Sequence, residues 1–270
     1  MPEISALSWS LLAVLGVSVA AWLVSVARRD VSIVDSLWSL MILLCALVYV
    51  VLAQDTGPRT VILITLLLTW AIRLSLHITL RNHGEPEDRR YREIRRNNEP
   101  YFEWKSLYIV FLFQGFLAWV VCLPVIAAVD GQTPPGPLDY AGVALWLVGM
   151  FFEVTADWQL ARFRRGGRTS NDVLDTGLWR YTRHPNYFGE AVIWWGFYLL
   201  ALSAGAWWTF FAPLLMTFLL LKVSGVAMLE KDIAGRRPAY REYIRRTNAF
   251  FPGRPADQMS NAGSHHDGKA

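Results

Sequence analysis

The sequence predicts an all-α, polytopic membrane protein: a bundle of seven transmembrane helices with its N-terminus outside and its C-terminus in the cytosol. Three observations support this fold class. Hydrophobic residues make up 54% of the chain and charged residues only 18%, against about a quarter charged in soluble domains. The apolar residues are grouped into seven stretches, most of them near the ~20 residues that span a bilayer as a helix. Basic residues lie on alternate sides of these stretches.

The predicted spans, in chain order, are 7–27, 31–53, 60–80, 106–129, 139–160, 187–203 and 207–229. The sixth is the shortest. The first does not have the order of a cleaved signal peptide, because its flank "MPEIS" carries no basic residue and Arg28 and Arg29 follow the apolar stretch.

The distribution of basic residues sets the orientation. Of the 26 Lys and Arg residues, 23 fall in segments that this topology places in the cytosol, and only Arg59 falls in an outer loop. This asymmetry is the positive-inside pattern of membrane proteins. The net charge of +4 therefore reflects topology, and it indicates no nucleic-acid partner.

The segments between the spans are short outside and longer inside. A surface helix is expected between Pro86 and Pro100, and residues 229–252 are expected to continue along the inner membrane face. Residues 1–254 are predicted to form a single domain and 255–270 a disordered polar tail. Cys45 and Cys122 lie inside spans and indicate neither a disulfide framework nor a metal site.

Polar side chains recur in the cytosolic halves of the spans, where ionisable groups are costly and usually functional. Arg73 and Lys222 could instead extend to the interface, and Asp35 could cap a helix. Taken together, the polar residues predict a cavity open to the cytosol. They are Asp35, Arg73, His77, Gln114, Glu153, Asp157, Gln159, Glu190, Lys222 and Glu230.

The loop before the sixth span has the composition of an anion site. Several of its arginines flank Gly166-Gly167, and guanidinium groups bind phosphates well. Pro185 suits the first position of a helix, whose free N–H groups favour anions. Trp179, Tyr181 and Tyr187 offer stacking faces for an aromatic base. The loop therefore predicts a phosphate-bearing nucleotide, while the absence of GxGxxG and GxxxxGK[ST] argues against Rossmann and P-loop sites.

Several segments resemble the steroid 5α-reductase family. "GLWRYTRHPNYFGE" and "LEKDIAGRRPAYREYIRRTNAFFP" resemble its C-terminal half, and "DVSIVDSLWSL", "WAIRLSLHITLRNHGEPEDRRY" and "FLFQG" resemble its bacterial members. The resemblance covers roughly residues 30–254. Its RHPxYxG core also occurs in sterol C14-reductases and isoprenylcysteine carboxyl methyltransferases. The resemblance implies a seven-helix bundle that binds NADPH and reduces a carbon–carbon double bond conjugated to a ketone.

The resemblance also implies particular cofactor contacts. The implied set is Arg73, Asp157, Arg164, Asn186, Glu190 and Trp194, with Arg183, His184 and Glu153 at further family positions. The loop and the polar cavity add Asn171, Tyr181, Tyr187 and Lys222 to the predicted cofactor site. We expect no metal ligands, because no Cys/His ligand spacing is present.

The substrate end departs from the animal enzymes. Where they place a tyrosine that donates to the substrate ketone, this sequence has Trp70, and the nearest analogue of their partner glutamate is Asp35. We therefore predict Asp35 as the catalytic acid, with Tyr91 or His77 nearby. A carboxyl group in an apolar pocket can stay protonated and donate a hydrogen bond at neutral pH.

The leading hypothesis is an NADPH-dependent reductase of a lipophilic enone, such as a 3-oxo-Δ4 steroid. A membrane methyltransferase using S-adenosylmethionine is the alternative, and a non-catalytic sterol-binding protein is a third reading. The substrate would enter from the bilayer, so we expect contacts with membrane lipid; no protein partner is implied. The bacterial resemblance favours the inner membrane of a bacterium over the endoplasmic reticulum.

Overall fold

We describe the fold from a computed structural model. It describes residues 2–166, 172–223, 225–226, 230, 233–236 and 238–256. Within these ranges all regular secondary structure is helical, in agreement with the predicted all-α class.

The helices follow the predicted spans closely. They are α1 (Ile4–Arg28), α2 (Ile33–Leu52), α3 (Thr60–Asn82), α4 (Arg89–Asn97), α5 (Phe102–Val129), α6 (Pro137–Arg165), α7 (Pro185–Ser203), α8 (Trp207–Val223), α9 (Ile233–Arg236) and α10 (Ala239–Arg246). The stretch Leu107–Leu112 of α5 and the stretch Leu219–Val223 of α8 are π-helical. Helix α7 begins at Pro185, as the proline predicts.

Five helices of the described chain are long and apolar enough to cross a membrane: α1, α2, α3, α5 and α6. They correspond to the first five predicted spans. Helix α7 is not among these five, and α8 is a shorter apolar helix. The protein is therefore an integral membrane protein with at least these five candidate spans, while the count of seven and the placement of the termini stay predictions.

The chain divides into two compact units that interleave along the sequence. Unit 1 comprises residues 1–146 and 194–216, and unit 2 comprises residues 147–193 and 217–270. This division does not test whether residues 1–254 form a single domain, so that stays a prediction. We describe each unit by itself.

In unit 1 helices α1, α2, α3 and α5 form the core. The Ser39 hydroxyl on α2 donates to the Ala71 carbonyl on α3 at 2.9 Å, so these two helices run side by side at this level. The indole N–H of Trp22 on α1 donates to the Glu103 carbonyl on α5 at 2.7 Å. Both donors have an acceptor within the protein. Such pairing is needed in a bilayer, because no water is present there to replace a missing hydrogen-bond partner.

Arg59, the single basic residue in a predicted outer loop, is almost fully buried in unit 1. Its Nε and Nη2 atoms donate to the two carboxylate oxygens of Asp139 at 2.6 and 3.0 Å. The Ser203 hydroxyl donates to the same carboxylate at 2.6 Å. Neutralisation by Asp139 explains how a lone arginine is accommodated against the positive-inside pattern.

Helices α6 and α7 pack closely through glycines. In unit 1, a Cβ atom added to Gly142 would lie 2.8 Å from the Gly196 carbonyl oxygen. In unit 2, a Cβ atom added to Gly189 would lie 2.6 Å from the Gly149 carbonyl oxygen and 2.6 Å from the Glu153 nitrogen. Any side chain at these positions would push the helices apart, so small residues set their separation.

Candidate functional site

A half-buried hydrogen-bonded cluster in unit 1 contains the predicted catalytic acid. Asp35, in the first turn of α2, accepts a hydrogen bond from the Tyr91 hydroxyl at 2.5 Å and one from Arg90 Nη2 at 2.5 Å. Gln114 on α5 donates from Nε2 to the Tyr91 hydroxyl at 3.0 Å. Residues from α2, α4 and α5 thus meet at one point, and the predicted proximity of Asp35 and Tyr91 is present in the structure.

Helix α4, the predicted surface helix, delivers Arg90 and Tyr91 to this cluster. Asp88 caps it by accepting from the Arg90 backbone N–H at 2.8 Å. The Asp88 backbone N–H donates to the Ser32 hydroxyl at 2.7 Å, and Glu87 accepts from the Val31 backbone N–H at 3.0 Å. These bonds attach the start of α4 to the start of α2, whose first N–H groups have no partner within the helix.

Two groups of this cluster have shifted pKa values. Burial, followed by the negative charge of Asp35, raises the pKa of the Tyr91 hydroxyl well above its usual value. Burial alone lowers the pKa of the Arg90 guanidinium, but the charges of Asp35 and Asp88 outweigh it and raise that pKa. Tyr91 therefore keeps its proton and donates it to Asp35, which also accepts from Arg90. The role of Asp35 as the catalytic acid stays a prediction.

The other predicted residues of unit 1 lie on α3 and α7. Arg73 and His77 are half-buried on α3. The Ser39 hydroxyl on α2 bonds to the Ala71 carbonyl on α3, and the two helices are antiparallel. Asp35 lies one turn before Ser39, so its level on α3 is one turn after Ala71, between Arg73 and His77. Trp70 is fully buried and packs edge-to-face on Trp194, with ring centroids 5.3 Å apart.

A second cluster, in unit 2, collects buried carboxylates from α6 and α7. Glu153, Asp157 and Glu190 are only 2%, 6% and 6% exposed. The Asn186 side chain donates from Nδ2 to Asp157 Oδ1 at 3.2 Å. Glu153 and Glu190 lie one turn further along the same faces of their helices, because residues four apart share a helix face. Carboxylates buried to this extent are costly, which is typical of functional sites.

Asn186 has an acceptor that is not used within the described chain. Its Oδ1 atom is buried and accepts no hydrogen bond from any described residue. A buried carbonyl-type oxygen without a donor costs free energy that a bound N–H group would recover. The Asp157–Asn186 pair can therefore bind a group that carries both a donor and an acceptor, such as a carboxamide.

Arg183 and His184 form a separate, fully hydrogen-bonded group in unit 2. Arg183 binds both carboxylate oxygens of Glu230 through Nε and Nη2, each at 2.7 Å. His184 Nε2 lies 2.8 Å from Glu230 Oε1, and its ring stacks on Tyr187 at 5.5 Å between centroids. Burial raises the pKa of the Glu230 carboxyl, but hydrogen bonds from His184 and Arg183 outweigh it and lower the pKa to about 2.

The remaining hydrogen bonds of Arg183 hold the C-terminal strap, residues 239–256. Its Nη1 donates to the Ile244 carbonyl at 3.1 Å and also to the Thr247 carbonyl, and its backbone N–H donates to the Asn248 carbonyl at 2.9 Å. Gly253 N–H donates to the Tyr181 carbonyl at 3.0 Å. Arg183 is thus occupied by protein groups, in a place where the sequence predicts contact with the cofactor.

The other predicted cofactor residues are more exposed. Arg164 is exposed on the last turn of α6, and Tyr181 is 44% exposed. Lys222 is exposed on α8 and makes no hydrogen bond or ion pair with another described residue. Asn171 lies outside the described residues.

Sequence reasoning missed two partners that complete these clusters. Arg90 was not singled out because it is one of several arginines in the cytosolic loop, and Glu230 was noted only as a polar residue at the end of a span. The one available signal for Arg90 was its position beside Tyr91 on an amphipathic helix that also carries Asp88 as cap. Glu230 reaches Arg183 across 47 residues of sequence, which no local pattern encodes.

The comparisons with known proteins agree with this picture in part. The family described as "Protein of unknown function (DUF1295)" matches residues 21–247. An uncharacterised protein of Schizosaccharomyces pombe is 26% identical, over 86% of this chain and 75% of that protein. The 3-oxo-5-alpha-steroid 4-dehydrogenase 1 of Bos taurus is 38% identical over 26% of this chain and 28% of its own length. The enzyme of the same name from Mus musculus is 42% identical over 25% and 26%.

The predicted resemblance to steroid 5α-reductases is confirmed in this coarse form. The chain matches only about a quarter of the length of these steroid dehydrogenases. No solved structure matches the chain.

Proposed function

The chain belongs to the DUF1295 family, and we propose that it is a membrane-embedded, NADPH-dependent reductase of a lipophilic enone. The reaction would convert the enone, NADPH and one proton into the saturated ketone and NADP⁺. The proposal is supported by the partial similarity to 3-oxo-5-alpha-steroid 4-dehydrogenases and by the buried polar cluster of unit 2. A 3-oxo-Δ4 steroid or a lipid of similar shape is the proposed substrate class.

The single observation that carries the proposal is the Asn186 side chain. Its Nδ2 donates to Asp157 while its buried Oδ1 has no donor in the described chain. A carboxamide is a natural complement, because its N–H groups can reach Asn186 Oδ1 and a carboxylate together. NADPH carries a carboxamide on its nicotinamide ring, so these residues fit that end of the cofactor.

The opposite end of the cofactor needs cations for its phosphates. Arg164 and Arg165 at the end of α6, and Arg180 before α7, are exposed arginines of unit 2. Guanidinium groups bind phosphate oxygens in pairs. We assign phosphate binding to these arginines and assign Arg183 to the C-terminal strap, because its donors are already engaged.

When bound, the reduced nicotinamide supplies a hydride to the β-carbon of the enone. The chain's own part is to stabilise the negative charge that develops on the carbonyl oxygen, a contribution that is often the largest in such sites. Tyr91 is the proposed donor to that oxygen, because its raised pKa keeps its proton in place at neutral pH. Its single O–H proton, which Asp35 accepts in the structure, would turn to the substrate oxygen, and Asp35 would keep its hydrogen bond from Arg90. The α-carbon then receives a proton from water.

The membrane character of the chain sets how the substrate arrives. Among the described residues, five helices are long and apolar enough to cross a bilayer, so a lipophilic enone would reach the protein from the lipid phase and NADPH from the cytosol. A bacterial inner membrane is the proposed location.

Cofactor binding tests the proposal directly. Purified protein is titrated with NADPH and, separately, with S-adenosylmethionine, and thermal unfolding is followed. We expect stabilisation by NADPH and a loss of NADPH affinity of about 10-fold or more in Asn186→Ala, since a buried hydrogen-bonding group is left unpaired.

Asn248→Ala is the matched control, because Asn248 is an exposed asparagine of the same unit, and it should bind NADPH normally. Stabilisation by S-adenosylmethionine alone would favour the methyltransferase alternative. Equal NADPH affinity in both variants would remove Asn186 from the site.

A further inference from the structure

Trp146 on α6 carries a buried hydrogen-bond donor that unit 1 does not use. The residue is only 4% exposed. Its indole Nε1 atom is buried and has no hydrogen-bond partner among the described residues. Indole nitrogen can only donate, so no alternative tautomer or side-chain flip removes the requirement for an acceptor.

Two other tryptophans of unit 1 donate their indole N–H to a backbone carbonyl. Trp22 Nε1 donates to the Glu103 carbonyl at 2.7 Å, and Trp119 Nε1 donates to the Leu7 carbonyl at 3.3 Å. Within a bilayer the cost of leaving such a group unpaired is greatest, because water does not reach it. Trp146 Nε1 is thus a buried donor without a partner among the described residues, in a unit where two other indole groups donate to backbone carbonyls.

The backbone around Trp146 is held in place. A Cβ atom added to Gly196 on α7 would lie 2.9 Å from the Trp146 backbone nitrogen and 3.2 Å from its Cα. Helix α6 is therefore packed against α7 at this residue, and the indole cannot reach a distant acceptor by a shift of its helix.

We infer that the Trp146 N–H donates a hydrogen bond to the oxygen of a lipophilic ligand bound within unit 1. A single neutral donor selects a neutral acceptor, so the ligand carries a carbonyl oxygen rather than a phosphate. Two sources share this chemistry: a ketone of the substrate class, which rests on the proposed function, and the ester carbonyl of a membrane phospholipid.

The ketone source is tested by equilibrium binding to Trp146→Phe without NADPH, so that neither turnover nor cofactor affects the result. The probes are 5α-cholestan-3-one and the matched hydrocarbon 5α-cholestane. We expect the variant to bind the ketone about 5- to 10-fold more weakly than the wild type does, since one hydrogen bond is lost. Binding of the hydrocarbon should change less than 2-fold.

The lipid source is tested in nanodiscs of ester-linked and ether-linked phosphatidylcholine, since the ether lipid lacks the carbonyl. If a lipid ester fills the site, the wild type unfolds at a higher temperature than Trp146→Phe in ester lipid only. Weaker ketone binding by Trp146→Phe, or an ester-dependent difference in unfolding temperature, supports a carbonyl acceptor. The inference is overturned if wild type and Trp146→Phe bind the ketone equally well and their unfolding temperatures show no ester-dependent difference.

A ligand-free control separates this role from a structural one. In ligand-free, delipidated protein, Trp146→Phe and Trp22→Phe remove the same side-chain volume from buried positions. Trp22→Phe should lower the unfolding temperature more, because it also removes a hydrogen bond that is made within the protein. A decrease for Trp146→Phe as large as that for Trp22→Phe would show that the Trp146 N–H has a partner inside the protein, which also overturns the inference. Loss of NADPH binding in the wild type would refute the proposed function without touching this result.

Discussion

Arg183→Lys distinguishes a structural arginine from a cofactor-binding one. The sequence predicts that Arg183 contacts the cofactor, whereas the structure engages its side chain with Glu230 and with two carbonyls of the C-terminal strap. Lysine keeps the positive charge. It cannot reproduce the planar fork that binds both Glu230 oxygens and the strap at once.

The expected loss of stability follows from the bonds that lysine cannot make. A lysine retains one bond to Glu230 and loses the second charge-assisted bond and the two carbonyl bonds, which together contribute about 3 kcal/mol. For a protein of this size, about 3 kcal/mol lowers the unfolding temperature by roughly 6–12 °C. Arg183→Ala should cost more, because it leaves the largely buried Glu230 carboxylate with His184 as its one remaining partner among the described residues. Adding Glu230→Gln to Arg183→Ala should recover part of that loss.

The assay combines thermal unfolding with NADPH titration at a temperature where every variant is folded. We expect Arg183→Lys to unfold at the lower temperature while its NADPH dissociation constant stays within about 3-fold of the wild-type value. An unchanged unfolding temperature together with a loss of NADPH affinity of about 10-fold or more would refute this reasoning and place Arg183 at the cofactor.

Three further predictions follow from the same structure. Tyr91→Phe should lower enone turnover about 100-fold or more with NADPH affinity within 2-fold; turnover within 3-fold of wild type would exclude Tyr91 as the carbonyl donor. Arg59→Met should destabilise the protein by about 3–5 kcal/mol because it leaves the buried Asp139 carboxylate without its cation. Arg59→Met/Asp139→Asn should then unfold at a higher temperature than Arg59→Met; no recovery would mean that the ion pair is not the cause. Because Glu230 has a folded-state pKa of about 2 against an ordinary 4.5, its contribution is complete above about pH 4.5 and is lost as pH falls towards 2. The difference in unfolding temperature between wild type and Glu230→Gln should therefore shrink on acidification, and a pH-independent difference would contradict this assignment.

The helices could be predicted from the sequence because each one is encoded locally. The stretches predicted at 7–27, 31–53 and 60–80 lie within a few residues of α1, α2 and α3. A run of apolar residues long enough to cross a bilayer must satisfy its backbone hydrogen bonds within itself, which only a helix does in a single segment. The start of α7 at Pro185 is equally local, since proline fits the first helical position.

The clusters were only half predictable. The sequence places Asp35 and Gln114 in the cytosolic halves of their spans. The hydrogen bonds from Gln114 to Tyr91 and from Tyr91 to Asp35 depend on how α4 folds back onto α2. A surface helix between two prolines is foreseeable; the rotation that directs Arg90 and Tyr91 inwards is not. That rotation follows from bonds between the start of α4 and residues 56 positions away.

By itself, the sequence determined the all-helical membrane class, the boundaries of five long apolar helices and the presence of costly polar groups near their ends. These properties depend on hydropathy, length and charge, which act over one span at a time. Only the tertiary structure decided that Asp35 is an acceptor held by Arg90, that Arg183 secures the C-terminal strap, and that Asn186 and Trp146 keep unused hydrogen-bonding atoms. The role of a polar group depends on which donors and acceptors lie within about 3 Å of it, and residues far apart in the chain supply them.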